Sequence, residues 1–134
     1  LAPLPVGWRL ADSRPEELAQ AGYVPQTLTA LPAAEVRRAA PGAAFVIVTH
    51  DHALDFLIAV EALARGDTGY VGMIGSASKR AAFLRHAARA GVDAGRLTCP
   101  IAAHAPRDKR PEVIAAFAAA EIMAALMTHA RVPA

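Results

Sequence analysis

At 134 residues the chain is long enough for one domain with a packed core, and its formal net charge of +2 is too small and too scattered for a nucleic-acid surface. Cys99 is the only cysteine, which excludes a disulfide framework and a cysteine-based zinc cluster and points to a reducing, cytoplasmic setting. No stretch reaches the roughly 18–20 apolar residues of a membrane span and no signal peptide opens the chain, so neither membrane nor export is expected.

The first residues, Leu1-Ala-Pro-Leu-Pro5, read as the end of a helix. Gly7–Asp12 reads as a strand ending in an acid, Ser13–Glu17 as a turn with one helical turn, and Thr27–Ala30 as a second short strand. Pro32 opens a helix that stops at Ala40, before Pro41-Gly42. Ala44-Phe-Val-Ile-Val48 is the continuous β-rich run of a strand buried in a parallel sheet, and Thr49-His-Asp-His52 lies at its carboxyl end. Ala53–Ala64 is helical. The pattern then repeats with strand Tyr70–Ile74, helix Ser78–Ala90 and a stop at Gly91. Arg96–Thr98 is a short last strand, Ile101–Arg110 a polar connector, and Pro111 to about His129 a long helix with a broad apolar face. Strand and helix alternate throughout, so the class is α/β with a mainly parallel sheet.

In such sheets ligands bind beyond the carboxyl ends of the strands. Asp12, Thr49–His52 and Gly75–Arg80 all fall there. The most informative segment is Tyr70-Val-Gly-Met-Ile-Gly-Ser-Ala-Ser-Lys-Arg80, a strand feeding a helix whose N–H groups and dipole favour an anion. Gly75 admits a close backbone approach, Ser76 caps the helix or bonds an oxygen, and Lys79 and Arg80 add positive charge. Two cations in a first turn oppose the dipole, so an anionic ligand is expected to offset them. Asp12 either accepts from a ribose-type diol or caps the following turn. His50 and His52 bind metal, move protons or line the cleft, with Thr49 or Asp51 as helix cap; a third metal ligand is not evident. Cys99 is read as a small buried hydrophobe, and Glu121 as an exposed helix edge.

These segments together resemble the xanthine dehydrogenase accessory proteins (XdhC/CoxI-like). The matching stretches are Asp12-Ser-Arg-Pro15, Val48-Thr-His-Asp-His-Ala-Leu-Asp55, Tyr70–Ser76 with Lys79-Arg80, Cys99-Pro-Ile101, and Lys109-Arg-Pro-Glu112 leading to Ala119-Ala-Glu-Ile122. The resemblance implies a three-layer Rossmann-like fold forming one domain over residues 1–134, the C-terminal part of a longer protein. The first strand and glycine-rich turn of that fold are absent from this chain. It also implies a cytoplasmic chaperone that binds the molybdenum cofactor (molybdopterin), supports its sulfuration by a cysteine desulfurase, and aids insertion into a xanthine dehydrogenase-type enzyme. The expected cofactor-binding set is Asp12, Thr49, His50, Asp51, His52, Gly75, Ser76, Lys79 and Arg80, with no catalytic residue and no metal site. The alternative is an enzyme: a nicotinamide-dependent oxidoreductase or other nucleotide-binding enzyme domain, with a dinucleotide as cofactor, or a His-based hydrolase built on the same sheet. The apolar face of the last helix is a candidate surface for a homo-oligomer or a further domain.

Overall fold

The computed structural model describes residues 7–22, 26–29, 32–49, 51–103, 105–106 and 110–131. Among them the elements in chain order are β1 (Leu10–Asp12), α1 (Pro15–Gln20), β2 (Gln26–Leu28), α2 (Pro32–Arg38) and β3 (Ala44–Ile47). Then come α3 (His52–Arg65), β4 (Tyr70–Met73), α4 (Ala77–Arg89), β5 (Leu97–Thr98) and α5 (Pro111–Arg131). The strict alternation is the α/β, Rossmann-like pattern expected from the sequence. The turn at Ser13–Glu17 grows into a full short helix because Pro15 suits its first position and Leu18 has a core to enter.

Every strand pair is parallel. The strands nevertheless form two sheets, β1-β2 and β3-β4-β5, where one sheet was expected. The division has a physical cause: among the described residues no strand lies between β1 and β3.

The core lies under the larger sheet. Ile47 of β3 and Val71 and Met73 of β4 meet Ile58, Ala59 and Ala62 of α3 and Phe83 and Ala87 of α4. Phe83 packs edge-on to Phe56, with ring centroids 5.2 Å apart, a geometry that adds to simple area burial. Alternation along a strand sends every second side chain to the opposite face. Tyr70 and Gly72 therefore look toward α5, and the Tyr70 hydroxyl donates to Glu121 at 2.8 Å. Gly72 has no side chain because the Tyr70 ring lies where a Cβ would stand.

Helix ends follow their local chemistry. Gly66 terminates α3 at φ +74°, a left-handed cap that glycine adopts without steric cost. Gly91, at φ +72°, turns the chain after α4.

Helix α5 amends one expectation. Pro111–Thr128 is, by length and composition, apolar enough to cross a membrane, with mean hydropathy 1.5. Here it lies on the sheet, with Ile122 buried and Glu121 bonded to β4. Phe117 and Met127 remain exposed on its outer flank.

Candidate functional site

The carboxyl ends of β3 and β4 are tied together by one buried ion pair. Asp55, in the first turn of α3, is fully buried, and Lys79, in the first turn of α4, is 8% exposed. Lys79 Nζ donates to Asp55 Oδ2 at 2.5 Å and to the Ile74 carbonyl at 2.7 Å. The other carboxylate oxygen of Asp55 accepts from the Thr49 N–H at 3.0 Å. The loop after β3 and the loop after β4 are thus held by the same two side chains. A buried charge needs such a partner set, because desolvation of either ion alone costs several kcal/mol.

This changes the part played by Lys79. It is not an exposed first-turn cation aimed at a ligand; its ammonium turns back into the protein and its charge is met by Asp55. The expectation of two cations awaiting an anion is corrected to one, Arg80, which is exposed. Gly75 is explained by the same feature. A Cβ there would stand 2.6 Å from Lys79 Cδ, so the missing side chain makes room for the lysine stem.

Ser76 caps α4, its hydroxyl accepting from the Lys79 N–H at 3.3 Å. Among the described residues the N–H groups of Ala77 and Ser78 meet no acceptor, leaving two donors at the open end of the helix. Asp51 caps α3, accepting from Ala53 N–H at 2.9 Å and Leu54 N–H at 3.4 Å. Thr49 and Asp51 close a small turn: the Thr49 hydroxyl donates to the Asp51 carbonyl and accepts from its N–H. His52 is exposed at the start of α3. His50 lies outside the described residues, as do His104 and Lys109.

Asp12 stands at the end of β1, and both its carboxylate oxygens are taken by Arg14. Oδ1 accepts from the Arg14 N–H at 2.9 Å and from Nε at 3.0 Å, and Oδ2 from the guanidinium at 3.0 Å. These hydrogen bonds hold the Asp12 carboxyl below its usual 3.8. Asp12 and Thr49 share the wall of a cavity of about 220 Å³ between β1 and β3. Gly75, Ser76 and Arg80 lie one strand further along, so the expected residues form two neighbouring groups joined through Thr49, Asp55 and Lys79.

Cys99 is buried after β5, and burial raises its thiol above the ordinary 9.0 against the opposing charges of Lys79 and Arg80. Glu121 is not a solvated edge. It accepts from the Tyr70 hydroxyl and, at 3.0 Å, from the Ala102 N–H, fixing the turn after β5. Asp55 is the polar residue that sequence reasoning gave no role, and Glu121 the one it read as an exposed helix edge. The available signal was an acid on an apolar helix stripe: Asp55 shares its stripe with Ile58, Ala59 and Ala62.

The sequence matches the XdhC Rossmann domain over residues 1–122. The chain belongs to the XdhC Rossmann domain family. Among solved structures this XdhC-family chain is similar to one described as a xanthine dehydrogenase from Bacillus halodurans. The TM-score is 0.72 at 20% identity, over 93% of this chain and 37% of that one. That likeness carries the fold, and the chain spans well under half the length of that relative. No curated protein matches.

Proposed function

We propose that this XdhC-family chain serves as an accessory module in the maturation of a xanthine dehydrogenase-type molybdoenzyme. In this reading it holds the anionic end of the molybdenum cofactor where the strands end, while a cysteine desulfurase supplies sulfur and the client enzyme receives the product. The observation that carries the reading is the family match across residues 1–122.

The donor set at the start of α4 fits a phosphate. Ala77 and Ser78 offer two N–H groups, the helix dipole adds partial positive charge, and the exposed Arg80 adds a full one. Thr49, Asp51 and His52 form the adjoining loop and line the approach. Lys79 acts by positioning, since its pair with Asp55 sets the height of both loops. A dinucleotide is the weaker reading, because Asp12, the residue expected to meet a ribose diol, has both oxygens on Arg14.

The test is a titration of the natural polypeptide with molybdopterin, read by absorbance. Arg80→Ala should weaken binding about tenfold, equivalent to about 1.4 kcal/mol, with the melting temperature unchanged. Equal affinity of the variant and the parent would refute the assignment.

A further inference from the structure

Helix α4 presents a cationic face that the fold does not use. Between Asp67 and Asp93 the chain has no acidic residue, and α4 lies wholly inside that stretch. Each of α1, α2, α3 and α5 holds at least one acid. Two rows run side by side along the outer surface of α4, each advancing one turn at a time. Arg80, Leu84 and Ala88 form one, and Ala81, Arg85 and Arg89 the other. All six are exposed, Leu84 at 39%. From Arg80 to Arg89 the face runs about 13 Å.

The three guanidinium groups are unmatched. Among the described residues none of them meets an acceptor, although Arg14, Arg37, Arg38 and Arg65 each pair with a carboxylate and Arg9 and Arg96 donate to oxygens. The acids on neighbouring elements are engaged elsewhere: Asp55 holds Lys79, Glu61 holds Arg37, and Asp93 accepts from the Gly95 N–H at 2.8 Å. His86 leans on the Phe56 ring of α3, with centroids 5.5 Å apart. Helix stability does not call for this arrangement. Arg80 opposes the dipole in the first turn, and Arg85 and Arg89 repel across one turn; of the three, only Arg89 in the last turn is favoured.

We propose that the Arg80–Arg89 face of α4 docks an acidic surface of the molybdoenzyme that receives the cofactor. The partner's identity rests on the maturation role proposed above; the location rests on the face itself. Arginine suits such a contact, because a guanidinium is weakly hydrated, forks onto a carboxylate, and is enriched where proteins meet. Leu84 supplies an apolar spot among the charges, and Ala81 and Ala88 let a partner's side chains approach the helix closely. A nucleic-acid backbone would match the charge but not Leu84, and a net charge of +2 on the whole chain is small for it. The face begins at Arg80, in the same turn as the N–H groups of Ala77 and Ser78, so a partner seated on α4 borders the anion site.

Isothermal titration of the natural polypeptide with the cofactor-free molybdoenzyme of the same organism tests this. Arg85→Glu with Arg89→Glu should weaken association at least tenfold and flatten its dependence on salt. Molybdopterin binding should match the parent, because Arg80 is untouched, and the melting temperature should stay within 2 °C. The neutral pair Arg85→Gln with Arg89→Gln should fall between the two. Arg37→Glu with Arg38→Glu changes the net charge equally on α2 and should leave association within twofold of the parent. Equal association of the α4 variant and the parent would overturn the proposal, and so would an equal loss in the α2 and α4 glutamate variants. A parent that binds molybdopterin but not the enzyme overturns the docking face and leaves the cofactor reading standing. A parent that binds the enzyme through α4 but not molybdopterin supports the face and removes the cofactor reading. Retention on duplex DNA at about 0.15 M salt that the α4 variant loses would give the face to nucleic acid and overturn the proposal equally.

Discussion

Removing the Asp55 carboxylate is the sharpest perturbation of this fold. Asp55→Ala leaves the Lys79 ammonium, 8% exposed, with the Ile74 carbonyl as its remaining protein acceptor, and it orphans the Thr49 N–H. Breaking a buried pair by taking one partner costs about 3–5 kcal/mol, a large share of the ~5–15 kcal/mol that holds a domain together. At this chain length 1 kcal/mol moves the melting temperature by roughly 3 °C, so a fall of roughly 10–15 °C is expected. Asp55→Asn should fall less, because the amide oxygen still accepts from Thr49. The double replacement Asp55→Leu with Lys79→Met removes both charges and should recover most of the loss. Thermal unfolding followed by circular dichroism reads all four proteins. A single variant that melts within 2 °C of the parent, or a double variant as unstable as the single, would refute the reasoning.

Three further outcomes follow from the polar contacts. The Asp12 carboxyl should titrate below its ordinary 3.8, and Arg14→Gln should raise its midpoint, as read by carboxyl chemical shifts. The sign is fixed: a depressed folded pKa stabilises above the unfolded value, and the contribution is lost as pH falls through the folded one. Glu121→Ala strips the acceptor from Tyr70 and Ala102 and should cost about 2–4 kcal/mol in urea unfolding, with Tyr70→Phe relieving part of the loss in the double variant. Cys99, buried and with a raised thiol pKa, should alkylate slowly at neutral pH and faster only above pH 9.0; rapid labelling at neutral pH in the folded protein would contradict its placement.

The order of elements was legible from hydrophobic runs and punctuation. Ala44–Val48 is a continuous apolar stretch and Tyr70–Ile74 a second one bounded by Gly69 and Gly75, and the structure places strands at Ala44–Ile47 and Tyr70–Met73. The caps Asp51 and Ser76 were legible too, because their residue types precede periodic helices. Pairing across the fold was not. Nothing local to Lys79 says that its ammonium turns inward rather than outward; that depends on Asp55, 24 residues away, arriving on the neighbouring helix. Arg14 stands only two residues from Asp12, yet the choice between a ribose and a guanidinium is made by side-chain geometry. Glu121 was misplaced for a related reason, since its partners lie on β4 and in the turn after β5.

The central claim is that the first turn of α4 receives an anion through Ala77, Ser78 and Arg80 while Lys79 serves the fold. Amide chemical shifts of the isotope-labelled natural polypeptide, followed during titration with molybdopterin, test it most directly. The account predicts that the Ala77 and Ser78 N–H signals move first and furthest, saturably, and that Arg80→Ala abolishes the movement at the same concentrations. Signals at Ala77 and Ser78 that stay fixed while residues elsewhere respond would contradict it.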